Sequence, residues 1–167
     1  MNSIRPAAPA DLPLILDHIR ELAEYEREPE AAVATAESLS QHLFGAGLGQ
    51  GPTAKCVIGE IDGVPQGFAV FFHNFSTWKG KPGVYLEDLF VRPAARGSGL
   101  GKVLLGHVAK VAVSLGCPRV EWAGLDWNEP AIGFYKAFGA IGMTEWTTFR
   151  LTGEALTKFA ASAASEA

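Results

Sequence analysis

Apolar positions along this chain keep two different spacings, and the switches between them mark the elements. Leu14, Ile15, His18, Ile19 and Leu22 recur at helical spacing, one face of a helix opened by Asp11-Leu12-Pro13. Thr35 suits the cap of a second helix carrying Leu39, Leu43 and Phe44, closed by Gly45 and followed by a loop over 45–52. Residues 54–61 and 64–75 then read as paired strands joined at Asp62-Gly63, a dipeptide fit for a tight hairpin turn. Residues 83–91 form a further strand. Strict alternation puts Tyr85, Glu87, Leu89 and Val91 on one of its faces and Val84, Leu86, Asp88 and Phe90 on the other.

Beyond it, Leu100, Val103, Leu104, Val108, Val111 and Leu115 stripe a long helix that stops at Gly116. Residues 4–7 and 119–123 add short strands. Asn128 caps a short helix over 129–137, ended by Gly139. A last strand is expected over 145–151 and a terminal helix over 154–163. The order β-α-α-β-β-β-α-β-α-β predicts an α+β (mixed α/β) fold. With no repeat or linker, 1–167 reads as a single domain.

Candidate chemistry concentrates where the strand 83–91 hands over to the long helix, at Arg96-Gly97-Ser98-Gly99-Leu100-Gly101-Lys102. Glycines let backbone N–H groups close on a phosphate, and a helix N-terminus adds a favourable dipole and unpaired donors. A nucleoside-triphosphate loop would need glycine where Arg96 stands and a hydroxyl where Val103 stands. A dinucleotide loop fails too, because Lys102 or Leu104 falls where its last glycine is required. Arg-x-x-Gly-x-Gly survives, met by Arg96, Gly99 and Gly101.

Composition narrows the ligand further. The 167 residues are 48% hydrophobic and 19% charged, a globular balance, and the net charge of −4 argues against a nucleic-acid partner. No apolar run suits a membrane span, and no secretory leader opens the chain, so a cytoplasmic location is expected. Cys56 and Cys117 read as buried reduced thiols, and the four histidines have no metal-ligand spacing, so no metal is expected.

The Arg96–Gly101 pattern resembles the coenzyme A pyrophosphate loop of the GNAT superfamily of N-acetyltransferases. Tyr85-Leu86-Glu87-Asp88-Leu89-Phe90-Val91, Trp127-Asn128-Glu129-Pro130 and Phe134-Tyr135-Lys136 resemble its diamine (spermidine/spermine) acetyltransferase branch. So do Ile4-Arg5-Pro6-Ala7 and Glu21-Leu22-Ala23-Glu24-Tyr25-Glu26. Thialysine acetyltransferases share this branch and fit equally well. The resemblance implies a central, mostly antiparallel sheet with splayed strands flanked by helices. It also implies acetyl-CoA as cosubstrate, a small amine as acceptor and a homodimer.

Residue by residue, it implies that Arg96 with the backbone of Gly97, Ser98, Leu100, Lys102 and the two motif glycines holds the diphosphate. Leu89, Phe90 and Val91 would offer backbone groups to the pantetheine arm, and an N–H there would steady the developing oxyanion. Tyr135 would be the general acid for the departing thiolate. Asn128 would contact the cofactor, cap its helix, or do both. Glu87 would bind the amine and take its proton, while Asp88, on the opposite face, reads as structural. Tyr25 and Glu26 would contact the substrate, Trp122 would line its strand, and Glu145 would partly replace a carboxylate that the branch carries where Thr147 stands here. Phe149 likewise stands where that branch has tryptophan. The implied activity is N-acetylation of a diamine or polyamine by direct transfer. Thialysine, another amino acid or an aminoglycoside-like amine is the alternative acceptor, and a CoA-binding sensor is the non-enzymatic alternative.

Overall fold

The computed structural model describes residues 1–164, which divide into two compact units, one of Met1–Ala123 and one beginning at Gly124. The first holds a five-stranded sheet in sequence order: β1 (Asn2–Pro6), β2 (Lys55–Ile61), β3 (Val64–Ser76), β4 (Lys81–Val91) and β5 (Val120–Glu121). All neighbours are antiparallel except β4 and β5, which run parallel. Helices α1 (Leu12–Tyr25) and α2 (Ala36–Leu43) precede β2, and α3 (Leu100–Ser114) joins β4 to β5.

Local signals in the sequence act where they were read. Thr35 Oγ1 accepts from Ser38 N at 3.2 Å and caps α2. Asp62 and Gly63 take φ of +51° and +78°, the two left-handed residues that a tight hairpin needs. The sheet buries apolar side chains on both faces. Cys56, Ile58, Phe68 and Phe90 pack with Ile15 of α1 and Leu43 of α2. On the other face lie Ala69, Phe71, Val84 and Leu86, all buried, as are Leu100, Leu104 and Val108 of α3. Gly59 lets α3 approach, since a Cβ there would come within 3.1 Å of Leu100 and 3.2 Å of Leu104. Both cysteines are free and buried, and burial pushes the Cys56 thiol up to about 12.

His18 also enters the first core. It is fully buried, its ring stacked on Phe68 with centroids 5.4 Å apart. Burial, with Arg92 nearby, lowers its pKa to about 4, so the ring is neutral.

The alternation expected for β4 is broken midway. Phe71 pairs with Leu86 and Val70 with Asp88, so Glu87 is an extra residue, a β-bulge, in β4. Val84 and Leu86 therefore share the α3 face with Phe71, whereas Asp88 and Phe90 share the α1 face with Val70 and Phe68. The expected common face of these four residues is corrected by the bulge, which reverses the phase of every later side chain.

The second unit contains α4 (Glu129–Lys136) and α5 (Gly153–Ala164). The strand expected over 145–151 is absent. Those residues take no regular ladder, and Thr147 and Phe149 are exposed. A strand persists only when a neighbour satisfies its backbone, and this unit offers none among the described residues. The strand expected over 119–123 shortens to Val120–Glu121. It pairs with Val84 and Tyr85 only, and β4 bulges two residues further on.

Candidate active site

Three carboxylates gather around the bulge. Glu87, the inserted residue, is exposed. Asp88 is turned toward α1 and largely buried. Burial first, then the charges of Glu87 and Glu26, raise its pKa to about 6. Glu26 caps the C-terminus of α1, half-buried, and burial raises its pKa as well. Asp88 thus shares an acidic neighbourhood with Glu26 and Glu87 while its side of the sheet is the one that α1 covers. Its signal in the sequence was the adjacent Glu-Asp pair, hidden by the assumption of unbroken alternation.

The end of α1 is locked in a particular geometry. Arg27 takes φ of +67°, Arg27 N donates to Glu24 O at 3.1 Å and Glu28 N donates to Ala23 O at 2.9 Å. These are the paired bonds of a Schellman cap, with arginine in the place glycine usually takes. The cap fixes Tyr25 and Glu26 at the last turn.

Two arginines beyond the bulge reach back to this helix. Arg92 grips Glu21 with Nε at 3.0 Å and Nη2 at 2.7 Å from Oε1, an ion pair absent from the sequence reading. The bond raises the Arg92 pKa further. One turn on, Arg96 lies over the Tyr25 ring with Cζ 4.3 Å from its centroid, and Arg96 Nε donates to Val91 O at 3.3 Å.

Two glycines of the loop lie in the left-handed region. Gly97 and Gly99 take φ of +80° and +84°, and Gly99 is the residue that caps α3. A Cβ on Gly97 would meet nothing within 4 Å, so an anion can approach the backbone there. Leu100, Gly101 and Lys102 form the first turn of α3, the end at which the helix dipole favours an anion. Two amides of the loop are engaged internally: Ser98 N donates to Ala95 O at 3.4 Å and Leu100 N to Ser98 Oγ at 3.3 Å. Asn2 Nδ2 donates to Ser98 O at 2.9 Å and ties the loop to β1. Ladder pairing of β4 with β5 stops at Tyr85, well short of Leu89, Phe90 and Val91. Trp122 follows β5 directly and is half-buried.

The second unit carries the other candidates. Asn128 Oδ1 accepts from Ala131 N at 3.4 Å, so Asn128 caps α4. Tyr135 is half-buried on α4, its ring 5.4 Å from that of Phe134. Glu145 lies in a turn, exposed, and not on a strand. Among the described residues no group of His, Cys, Asp and Glu could hold a metal ion, and no helix is long and apolar enough to cross a membrane.

Comparison with known proteins converges on one family. The profile of the "Acetyltransferase (GNAT) family" matches residues 16–140. A thialysine N-epsilon-acetyltransferase of Bos taurus is 40% identical, over 94% of this chain and 96% of its own. An L-ornithine N5-acetyltransferase of Arabidopsis thaliana is 35% identical over 93% and 86%. A human spermidine/spermine N(1)-acetyltransferase-like protein is 31% identical over 92% of this chain and 23% of that longer one. Among solved structures, an integron cassette protein of V. cholerae superposes with a TM-score of 0.77, at 28% identity over 95% of this chain and 97% of that one. Sequence, sheet and loop agree: this chain belongs to the GNAT family of acetyltransferases and is an N-acetyltransferase acting on amines.

Proposed function

We propose that the enzyme transfers the acetyl group of acetyl-CoA to the side-chain amine of a short ω-amino amino acid of the thialysine or ornithine type. The observation that carries this reading is the 40% identity to the bovine thialysine enzyme over nearly the whole of both chains. The relative named for ornithine supports the same acceptor class. A diamine or polyamine is the second reading. It is favoured by the 31% identical human relative and by the acidic group at Glu26, Glu87 and Asp88. The missing carboxylate at Thr147 weighs against a long polyamine, which needs a negative charge near each ammonium.

In this mechanism acetyl-CoA supplies the activated thioester, and the chain binds, orients and moves protons. Arg96 and the backbone of the Gly97–Lys102 loop hold the diphosphate, and Gly97 leaves the space for it. Backbone groups of Leu89, Phe90 and Val91 receive the pantetheine arm, and Asn128 adds a contact. An N–H of that strand end steadies the oxygen as charge builds on it, a contact worth about 3 kcal/mol. Glu26 and Glu87 attract the ammonium, and Trp122 lines its approach; Glu145, which is not on a strand, is left out of this assignment. An alkylamine of pKa about 10 must lose a proton before it attacks, and Glu87 accepts that proton directly or through one water. Asp88, with its pKa near 6, is charged at neutral pH yet close to its titration point, which suits a second proton acceptor. Tyr135 gives its phenolic proton to the sulfur as the carbon–sulfur bond breaks, and regains one from the water or amine side.

The family profile crosses from the first unit into the second, which supports 1–167 acting as one catalytic domain. On the family resemblance the enzyme works as a homodimer. The test is a steady-state panel of thialysine, ornithine, lysine, putrescine and spermidine with acetyl-CoA, with products read by mass spectrometry. The highest kcat/KM is expected with thialysine or ornithine. A clear preference for spermidine or putrescine would hand the acceptor to the second reading, and no acetylation of any would sink both.

A further inference from the structure

We infer that Tyr25 positions the diphosphate-binding arginine, Arg96, and so belongs to the coenzyme A side of the site and not only to the amine side. The inference rests on the glycine loop holding coenzyme A. It starts from the stack itself, with the Arg96 Cζ 4.3 Å above the Tyr25 ring centroid.

A guanidinium is a flat group whose N–H donors all lie in its plane. An aromatic ring beneath it occupies a face and leaves the edge untouched, so stacking and phosphate binding do not compete. The Arg96 edge is itself partly fixed. Nε donates back to Val91 O at 3.3 Å, which sets the rotation of the group and leaves the terminal nitrogens for an anion. Arg96 is exposed, and a long exposed arginine otherwise loses rotamer freedom when it binds. Tyr25 and Val91 together remove much of that freedom in advance.

The ring is a firm base for this purpose. Tyr25 is the last residue of α1 and is held by the Schellman cap at Arg27 and Glu28. One turn earlier, Glu21 on the same helix is gripped by Arg92. Arg92 and Arg96 are four residues apart, as are Glu21 and Tyr25, so the segment after β4 meets α1 at two successive rungs. The first rung is an ion pair and holds position. The second is a stack and leaves a charged edge available. Glu26, the next residue after Tyr25, is part of the acidic group, so the same helix end serves both substrates.

The experiment is calorimetric titration of coenzyme A into wild type, Tyr25→Leu, Tyr25→Phe, Arg96→Ala and the Tyr25→Leu/Arg96→Ala pair. Tyr25→Leu should weaken binding about fivefold, as expected for loss of a cation–π contact, and Tyr25→Phe should stay within about twofold because the ring is kept. In the Arg96→Ala background, Tyr25→Leu should cost less than about twofold, because its partner is already gone. Full additivity, or a Tyr25→Leu enzyme with unchanged coenzyme A affinity and a raised amine KM, would overturn the inference. So would a large loss in Tyr25→Phe, which folds with the ring in place. Wild type that binds no coenzyme A would remove the proposed function together with this inference. Wild type that binds, with an additive cycle, removes this inference alone.

Discussion

Asp88 stands directly across the β3–β4 ladder from Val70, on the face that α1 covers. A carboxyl group thus occupies a row otherwise filled by Cys56, Ile58, Phe68 and Phe90. It titrates near 6, against 3.8 for a free aspartate. Between those values the folded chain keeps a proton that the unfolded chain has lost, so Asp88 makes stability fall as pH rises from about 4 to about 6. His18 acts in the opposite sense: its pKa is near 4 in the fold against 6.5 free, so stability falls as pH drops through that interval. Asp88→Asn removes the first effect only. Urea melts at several pH values should show the variant gaining on wild type by up to about 1.4 kcal/mol per pH unit between about 4 and 6. A constant difference across that range would show that Asp88 titrates normally.

Tyr135→Phe removes the proposed acid and keeps the ring. Turnover should fall about a hundredfold or more, while calorimetric affinity for coenzyme A stays within about twofold. Unchanged turnover would strike Tyr135 from the mechanism, and equal losses in both quantities would make it a binding residue.

Gly99 caps α3 with φ of +84°, a conformation other residues adopt only at a cost. Gly99→Ala should lower stability by about 1 kcal/mol, or about 3 °C in Tm for a chain of this size. Gly99→Asp should in addition abolish acetyl-CoA binding, because a carboxylate would face the diphosphate. Affinity retained within a few-fold by the Asp variant would mean that the ligand lies elsewhere.

Arg92 and Glu21 form a half-exposed bidentate pair linking the end of β4 to α1. A double-mutant cycle with Arg92→Ala and Glu21→Ala, followed by urea denaturation, should give a coupling of about 1 kcal/mol. Coupling near zero would show that solvent screens the pair and that other contacts hold this end of the helix.

Much of the candidate site was legible because its signals are local. Gly97 and Gly99 carry their conformational freedom in their identity, and Arg96 follows from the pattern around them. The Asp62-Gly63 hairpin and the Thr35 and Asn128 caps are decided within a few residues. The helices were legible for the same reason, since their hydrogen bonds close within the element. Sheet elements were less so. The strand expected over 145–151 had strand-prone residues and finds no pairing neighbour among the described residues, and that over 119–123 kept only the two residues opposite Val84 and Tyr85.

The amino-acid order alone determined where the proposed anion site lies and which residue types surround it: flexible glycines at a helix start, an arginine before them, and carboxylates in the preceding strand. Tertiary structure decided which carboxylate faces which way. One inserted residue, Glu87, reverses the alternation of β4 and delivers Asp88 to the α1 side, and ladder register is a property of two strands together. The stack of Arg96 on Tyr25 is of the same kind. It joins residues far apart in sequence, and only the packing of α1 against the sheet brings a ring beneath a guanidinium.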